Sequence, residues 1–234
     1  MSTVRNDPRL VRGMERQLNL RRERVDNGEK PLGWKVGFGA PAALELLGIE
    51  GPLVGFMTHK SRLPSGTSAS IVGWTKPMVE PEIAVYMGSG LAAGANREDV
   101  RAAVAAIGPA IELADVHFPP SDVEAILAGN IYHRHVILGQ ADSSRAGCVL
   151  DELVGQVYHN GKIVAEVVDS QAVTGDLIDI VRHVADVLGS FGEQLRADDV
   201  VITGSIVPPI AVAAKDEFRF TLEPVGTIAV QLEA

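Results

Sequence analysis

Apolar residues at positions 10, 11, 14 and 18 recur at helical spacing near the start of the chain, with Arg12, Arg16, Arg21 and Arg22 between and after them. This pattern predicts a surface helix that stops near Gly28. Its arginine-rich side has two readings, a membrane-surface helix or a solvated face, and the acids nearby favour the second. Beyond it the chain is a mosaic of short elements with no internal repeat. GWKVGF at 33–38 reads as a strand, and PAALELL at 41–47 as a short helix ended by Gly48. Glycine and proline punctuate 48–77, which reads as a loop-rich cap or lid. A strand at 79–86, a helix at 97–107 and a strand at 109–116 follow. An irregular stretch at 118–135, with a helical turn around 123–127, leads into the strand HVILG.

The later part is richer in strands. Runs at 153–158 and 163–168 flank His159-Asn160-Gly161-Lys162, and an Asn-Gly pair between alternating runs is a strong hairpin signal. DLIDIVRHVADVL at 176–188 carries an amphipathic pattern with Asp176 placed to cap it. Strands at 200–203, 218–222 and 227–232 complete the set. Regular alternation of strand and helix is absent, so the expected class is α+β, a coiled mixed β-sheet flanked by helices rather than a doubly wound sheet.

The chain has 234 residues, 46% hydrophobic and 22% charged, which excludes a disordered, collagenous or membrane-spanning protein. One catalytic domain over 1–234, with an N-terminal helical segment at about 1–30, is the expected organisation. Lysine plus arginine is 21 against 30 acids, a net charge of −9 that repels a phosphate backbone. The single cysteine, Cys148, permits no internal disulfide and reads as a small buried residue. The first 27 residues lack the apolar core of a signal peptide, and a reducing, cytoplasmic setting is expected.

The chemistry concentrates in KPMVEPEIAV at 76–85, where Glu80 and Glu82 stand two apart on a strand and share one face. Water screening on an exposed face is one reading; a site that collects negative charge is the other. The apolar IAV that continues the strand, and a third carboxylate in a similar setting at Glu112 in AIELADV, favour the site. Three carboxylates form an oxygen set suited to Mg²⁺ or Mn²⁺, with positions left for a bidentate 2-oxo acid and a water. Asp115 faces away from Glu112 on a strand and stays outside the set.

GWKVGF, GPLVGFM, KPMVEPEIAV, AIELADV, GNIYHRHVILG and ADDVVITGSIVPP together resemble the ordered blocks of the 2-oxopent-4-enoate hydratase and 4-oxalocrotonate decarboxylase branch of the fumarylacetoacetate hydrolase superfamily. The resemblance runs from Gly33 to the end, and the Glu-x-Glu block with a third glutamate about thirty residues later is its specific part. It implies a mixed β-sheet roll of the fumarylacetoacetate hydrolase C-terminal-domain type, a Mg²⁺ or Mn²⁺ ion held by Glu80, Glu82 and Glu112, and a homo-oligomer. Lys35 matches the active-site lysine; from the residues alone it points either to solvent or to the carboxylates. Thr203 and Gly204 match a block that lines the substrate pocket, and otherwise read as a plain strand-ending turn.

Two blocks depart from the pattern. The acid expected after GFM is missing from the segment 55–60, and a small Asn-Ala-Ser-Ser-like block is replaced by Asn-Ile-Tyr-His-Arg-His at 130–135. His59, His133 and His135 thereby enter active-site blocks, as proton carriers or as surface and interface side chains. On an extended segment His133 and His135 share a face and Arg134 takes the other; an Arg134 turned to the pocket clamps a second substrate carboxylate. The expected activity is hydration of a 2-hydroxy-2,4-dienoate, with Lys35, His133 or His59 moving protons. A decarboxylase of 4-oxalocrotonate type follows closely. A carbon–carbon bond hydrolase ranks lower because the helix at 41–47 offers Glu45 but no histidine. A non-catalytic partner subunit of a hydratase and decarboxylase complex is the reading outside enzymology.

Overall fold

Asp7 begins the first long helix, α1 (Pro8–Asp26): its side chain accepts the Arg9 N–H, and Pro8 supplies a preset first turn. The computed structural model describes residues 3–234, and the first two residues of the predicted N-terminal helical segment lie outside the described residues. Leu10, Met14 and Leu18 are buried, as their spacing predicts, while Val11 is only half-buried. The chain continues through β1 (Pro31–Gly37), α2 (Pro41–Leu47), β2 (Leu53–Thr58), β3 (Arg62–Leu63), β4 (Thr67–Ser70) and β5 (Pro77–Met87). Then come α3 (Arg97–Ala103), β6 (Val104–Asp115), α4 (Val123–Ala128), β7 (His133–Leu138), β8 (Val154–His159) and β9 (Lys162–Val167). It closes with α5 (Leu177–Ser190), β10 (Val200–Ser205), β11 (Ile210–Ala211), β12 (Glu217–Glu223) and β13 (Gly226–Glu233).

Two mixed sheets result, with helices beside them, which is the α+β roll expected from the sequence. The larger runs β2-β1-β10-β5-β6-β7-β3 with β11 on β5, and the smaller runs β4-β13-β12-β8-β9. β2 and β3 occupy opposite edges of the larger sheet, yet only the single turn His59–Ser61 separates them in the chain. Six strand spacings in a flat sheet put those edges roughly 29 Å apart. The link between them reaches at most about 14 Å. The sheet therefore has to curl until its edges approach, and the curl gives it an inside and an outside.

Alternation along β5 and β6 distributes residues between the two. Val79, Ile83 and Val85 of β5 and Ile107, Ile111 and Leu113 of β6 join the main core, together with Phe218, Phe220 and Leu222 of the smaller sheet and the apolar face of α5. A fully buried side chain of this size stabilises the fold by roughly 1.5–3 kcal/mol. The opposite face carries a second, smaller cluster: Leu32, Met57, Ala84, Ala110, Val136, Leu138, Val200 and Ile202. Glu80 and Glu82 alternate on β5 with the main-core residues, as Ala84 does, so the carboxylates share the face of this inner cluster.

Two expectations fail here. The segment 48–77 is not a lid: β2 is buried throughout and pairs in register with β1, while β3 and β4 join the two sheets. Gly51-Pro52 and the glycines after it gave a loop signal that masked a short apolar strand. The helix expected at 97–107 ends at Ala103, and the chain passes directly into the twelve-residue β6. Its alanines look helical in sequence, but Ala106 and Ala110 sit opposite Tyr86 and Glu82 of β5, and Gly108 faces Ala84, so small residues fill the tight inner face of the sheet. Among the described residues, no helix is long and apolar enough to cross a membrane.

Gly33 fixes the parallel pairing of β1 with β10. Its φ is +148°, and a Cβ there would lie 2.0 Å from the Val200 carbonyl oxygen, a backbone atom that cannot step aside. Gly33→Ala is expected to lower unfolding stability by at least about 3 kcal/mol, read as a drop in the urea midpoint.

Candidate metal centre

Glu80 of β5 sits directly opposite Glu112 of β6, and Glu82 follows two residues along, opposite Ala110 and Ser205. Each of the three glutamates offers an oxygen within 4.8 Å of the others. Glu82 and Glu112 are fully buried, and Glu80 is half-buried. Lys35 enters from β1, 2% exposed, with Nζ donating to Glu112 Oε1 at 2.5 Å and to the Ile131 carbonyl at 3.2 Å. His133 Nδ1 lies 2.8 Å from the same Glu112 Oε1, and the Gly204 N–H donates to Glu82 Oε2 at 2.7 Å. The other oxygens, Glu112 Oε2 and Glu82 Oε1, are buried and have no hydrogen-bond partner among the described residues.

These groups do not balance. Burial works against the Lys35 ammonium, but Glu112, Glu80 and Glu82 outweigh it and hold its pKa above the ordinary lysine value. Burial likewise opposes the Glu112 carboxylate, and Lys35 with His133 keeps it below the ordinary value. Glu80 is pushed up to about 7 by burial and by Glu112. Burial, then Glu112 and Glu80, hold Glu82 well above the carboxylate range. Burial lowers His133 against the pull of Glu112. One carboxylate is thus matched by one ammonium, and two further carboxylates are left to a proton or to a cation. Two unpartnered oxygens in an all-oxygen donor set fit a hard divalent ion.

The backbone beneath this cluster is strained. Asn130, Ile131 and Tyr132 take φ values of 56°, 53° and 61°, three left-handed residues in a row and none of them glycine. The Asn130 side chain bridges both the N–H and the carbonyl of Phe56 at 2.9 Å, and the Tyr132 hydroxyl donates to the Phe118 carbonyl at 3.1 Å. The turn aims the Ile131 carbonyl at Lys35 and delivers His133 to Glu112. Gly55 makes room for it: a Cβ there would stand 2.9 Å from Lys35 Cγ and 3.0 Å from Asn130 Oδ1.

Of the remaining candidates, Gly204 touches the glutamates through its amide, while the side chains of the others are bonded elsewhere or exposed. His59 is exposed on the turn that links β2 to β3, outside the carboxylate cluster. Arg134 points its guanidinium to Asp115 at 2.9 Å and over the Trp74 ring, with 42% of its side chain exposed, so its charge is already met. The Thr203 hydroxyl donates to the Ile83 carbonyl at 3.0 Å, and the Gly204 amide is taken by Glu82; both bonds hold β5 to β10. His135 stacks on Trp74 with Nδ1 buried and unpartnered. Asp115 stays out of the set, accepting the N–H groups of Thr75 and Lys76 at 2.9 Å. Burial pushes the Cys148 thiol up to about 12, which suits a packing role. Sequence reasoning missed Ser61 and Asn130, both buried polar residues in the site's wall; only Asn130, as a residue tolerant of a left-handed φ, carried any signal.

No family model matches the chain. Among curated proteins it is 29% identical to a 2-hydroxyhexa-2,4-dienoate hydratase of Comamonas testosteroni, over 92% of this chain and 83% of that protein. It is 28% identical to a 4-oxalocrotonate decarboxylase of Pseudomonas putida, over 92% of this chain and 82% of that protein. Among solved structures, 4-oxalocrotonate decarboxylase from Pseudomonas putida G7, complexed with magnesium and adipate, matches with a TM-score of 0.85 at 26% identity, over 92% of this chain and 83% of that one. The fold extends to fumarylpyruvate hydrolase from Pseudomonas aeruginosa, with a TM-score of 0.67 at 14% identity over 87% of this chain and 89% of that one. By sequence and by fold, the chain is a homologue of the 2-keto-4-pentenoate hydratases and 4-oxalocrotonate decarboxylases and shares the fold of the fumarylacetoacetate hydrolase superfamily.

Proposed function

We propose that the chain is a Mg²⁺-dependent hydratase that converts a 2-hydroxy-2,4-dienoate of 2-oxopent-4-enoate type to a 4-hydroxy-2-oxo acid. The observation that carries this reading is the glutamate trio, with two buried and unpartnered oxygens beside a buried lysine. Glu80, Glu82 and Glu112 hold the ion, which when bound supplies a Lewis acid for the substrate carboxylate and its 2-oxygen. The same trio suits Mn²⁺ by donor type. Lys35 carries protons: its Nζ is buried at the cluster and tied to Glu112, a position from which it can give a proton to the terminal carbon of the dienol and recover one from the 2-hydroxyl, leaving the unsaturated ketone. Met57, Ala84 and Ala110 line the inner face around the cluster and keep its dielectric low, which strengthens each of these interactions. Water adds at the carbon conjugate to the resulting ketone.

A second reading, decarboxylation of a 4-oxalocrotonate-type diacid, is favoured by the likeness to the decarboxylase complexed with magnesium and adipate. The hydratase stands first because of charge. Among the described residues, Lys35 is the one lysine or arginine paired with a glutamate of the trio, and the guanidinium that a second substrate carboxylate needs, Arg134, is engaged by Asp115. A cytoplasmic homo-oligomer, alone or beside a partner decarboxylase or hydratase, belongs to the same proposal.

Calorimetric titration of the purified chain with MgCl₂ is expected to show a saturable site, and Glu80→Gln and Glu82→Gln to weaken it by more than the ~10–100-fold that loss of an outer partner costs. The apo Glu82→Gln chain is expected to melt higher than the parent at neutral pH, since a buried carboxyl with a raised pKa no longer has to take up a proton on folding, and to lose the upward shift that Mg²⁺ gives the parent.

With Mg²⁺ present, 2-hydroxypenta-2,4-dienoate is expected to lose its dienol absorbance without release of CO₂. Lys35→Met is expected to lower kcat by ~10²–10⁴-fold. Release of CO₂ from 4-oxalocrotonate, with the dienol untouched, would replace the hydratase by the decarboxylase.

A further inference from the structure

Glu112 meets the cluster differently from Glu80 and Glu82. Both of its protein partners, Lys35 Nζ and His133 Nδ1, lie on Oε1, at 2.5 and 2.8 Å, and Oε2 has none. An ionised carboxylate only accepts, so the imidazole donates through Nδ1–H, and its other nitrogen faces away from the glutamates. There Nε2 stands 3.0 Å from Ser61 Oγ. Ser61 is 8% exposed, and its Oγ also lies 2.9 Å from the Thr58 carbonyl. The His133 side chain is 2% exposed. A serine, an imidazole and a carboxylate thus form one buried line, and the serine belongs to the turn that joins the two edges of the curled sheet.

We propose that His133, held by Ser61, is a positioning residue for Glu112: with Lys35 it fixes Oε1 so that Oε2 is presented to a divalent cation. This rests on the reading of the glutamate trio as a metal centre, and it replaces a direct proton-carrying role for His133. Two observations separate it from ordinary core packing. The imidazole bonds at both nitrogens, which fixes the ring's orientation, and both its bonds end on side chains of the cluster or of the closing turn rather than on solvent. Lys35 alone can hold Oε1, but a flexible ammonium sets a point of charge and no direction, whereas a ring locked at both ends sets the plane in which the carboxylate accepts.

The test is Mg²⁺ affinity by calorimetry, with thermal melting of the apo chain alongside. His133→Leu is expected to bind Mg²⁺ ~10–100-fold more weakly than the parent. His133→Asn, whose side-chain amide keeps a donor near the Nδ1 position, is expected to stay close to the parent. Ser61→Ala is expected to lose affinity to a smaller degree than His133→Leu, with a melting temperature near the parent's. Parent-like affinity in His133→Leu overturns the proposal, and so does His133→Asn falling as far as His133→Leu, since shape rather than the hydrogen bond then matters. Where His133→Leu does not fold, Ser61→Ala decides: parent-like affinity there removes the held imidazole. A parent chain that takes up no Mg²⁺ overturns the metal centre itself, a different failure from parent-like binding by the variants.

Discussion

Three carboxylates placed inside a curled sheet with a single ammonium among them set the terms for the rest of the molecule. At 4.8 Å, two unit charges in a protein environment of effective dielectric near 20 repel by about 3 to 4 kcal/mol. The Lys35–Glu112 pair answers one charge, and the Gly204 amide answers part of another. What remains is a demand for positive charge at a fixed place, met by protons in the bare chain and of a kind that suits a divalent ion. Every element around the cluster can be understood by how it keeps this unfavourable arrangement from relaxing.

The left-handed turn at 130–132 is the clearest instance. Left-handed backbone costs an ordinary side chain roughly 1–2 kcal/mol per residue, and a β-branched residue such as Ile131 tolerates it poorly. The turn persists because it is pinned from several sides: Asn130 to both backbone groups of Phe56, Ile131 to Lys35, and Tyr132 to Phe118 and the surrounding aromatic rings. Core packing and strand pairing elsewhere supply the stability that this turn and the charge cluster consume. Gly33 and Gly55 serve the same end by letting backbones and side chains approach more closely than a Cβ allows.

Much of this was legible in the sequence, and for physical reasons. Strand alternation put Glu80 and Glu82 on one face before any contact was known, and Glu112 then turned up directly across from Glu80. The Asn160-Gly161 hairpin and the Asp176 cap were equally plain, because turn chemistry and helix capping are local. What stayed hidden is nonlocal. A buried strand between two glycine- and proline-rich stretches looks like a loop, and an alanine-rich strand looks like a helix, until the strands they pair with are known. Arg134 and Thr203 carried suitable chemistry, but the sequence could not show that Asp115 and the Ile83 carbonyl already use it. Ser61 gave no sign, since nothing near it in the chain announces its neighbour seventy-two residues away.

The parallel pairing of β1 with β10 has a consequence for how the protein comes into being. It joins residues 33–35 to residues 200–202, near opposite ends of the chain, and the centre draws on groups from Lys35 to Gly204. No emerging fragment can complete the cluster: the strand that brings the Gly204 amide to Glu82 is made after four-fifths of the chain, and until then the acids lack that amide and β1 and β5 lack the strand between them. Contacts of such sequence separation slow folding, because a large loop must close before they contribute. With the trio as the proposed metal centre, the half-made chain has an incomplete site, and capture of an ion there would be a late event that marks the arrival of the finished fold.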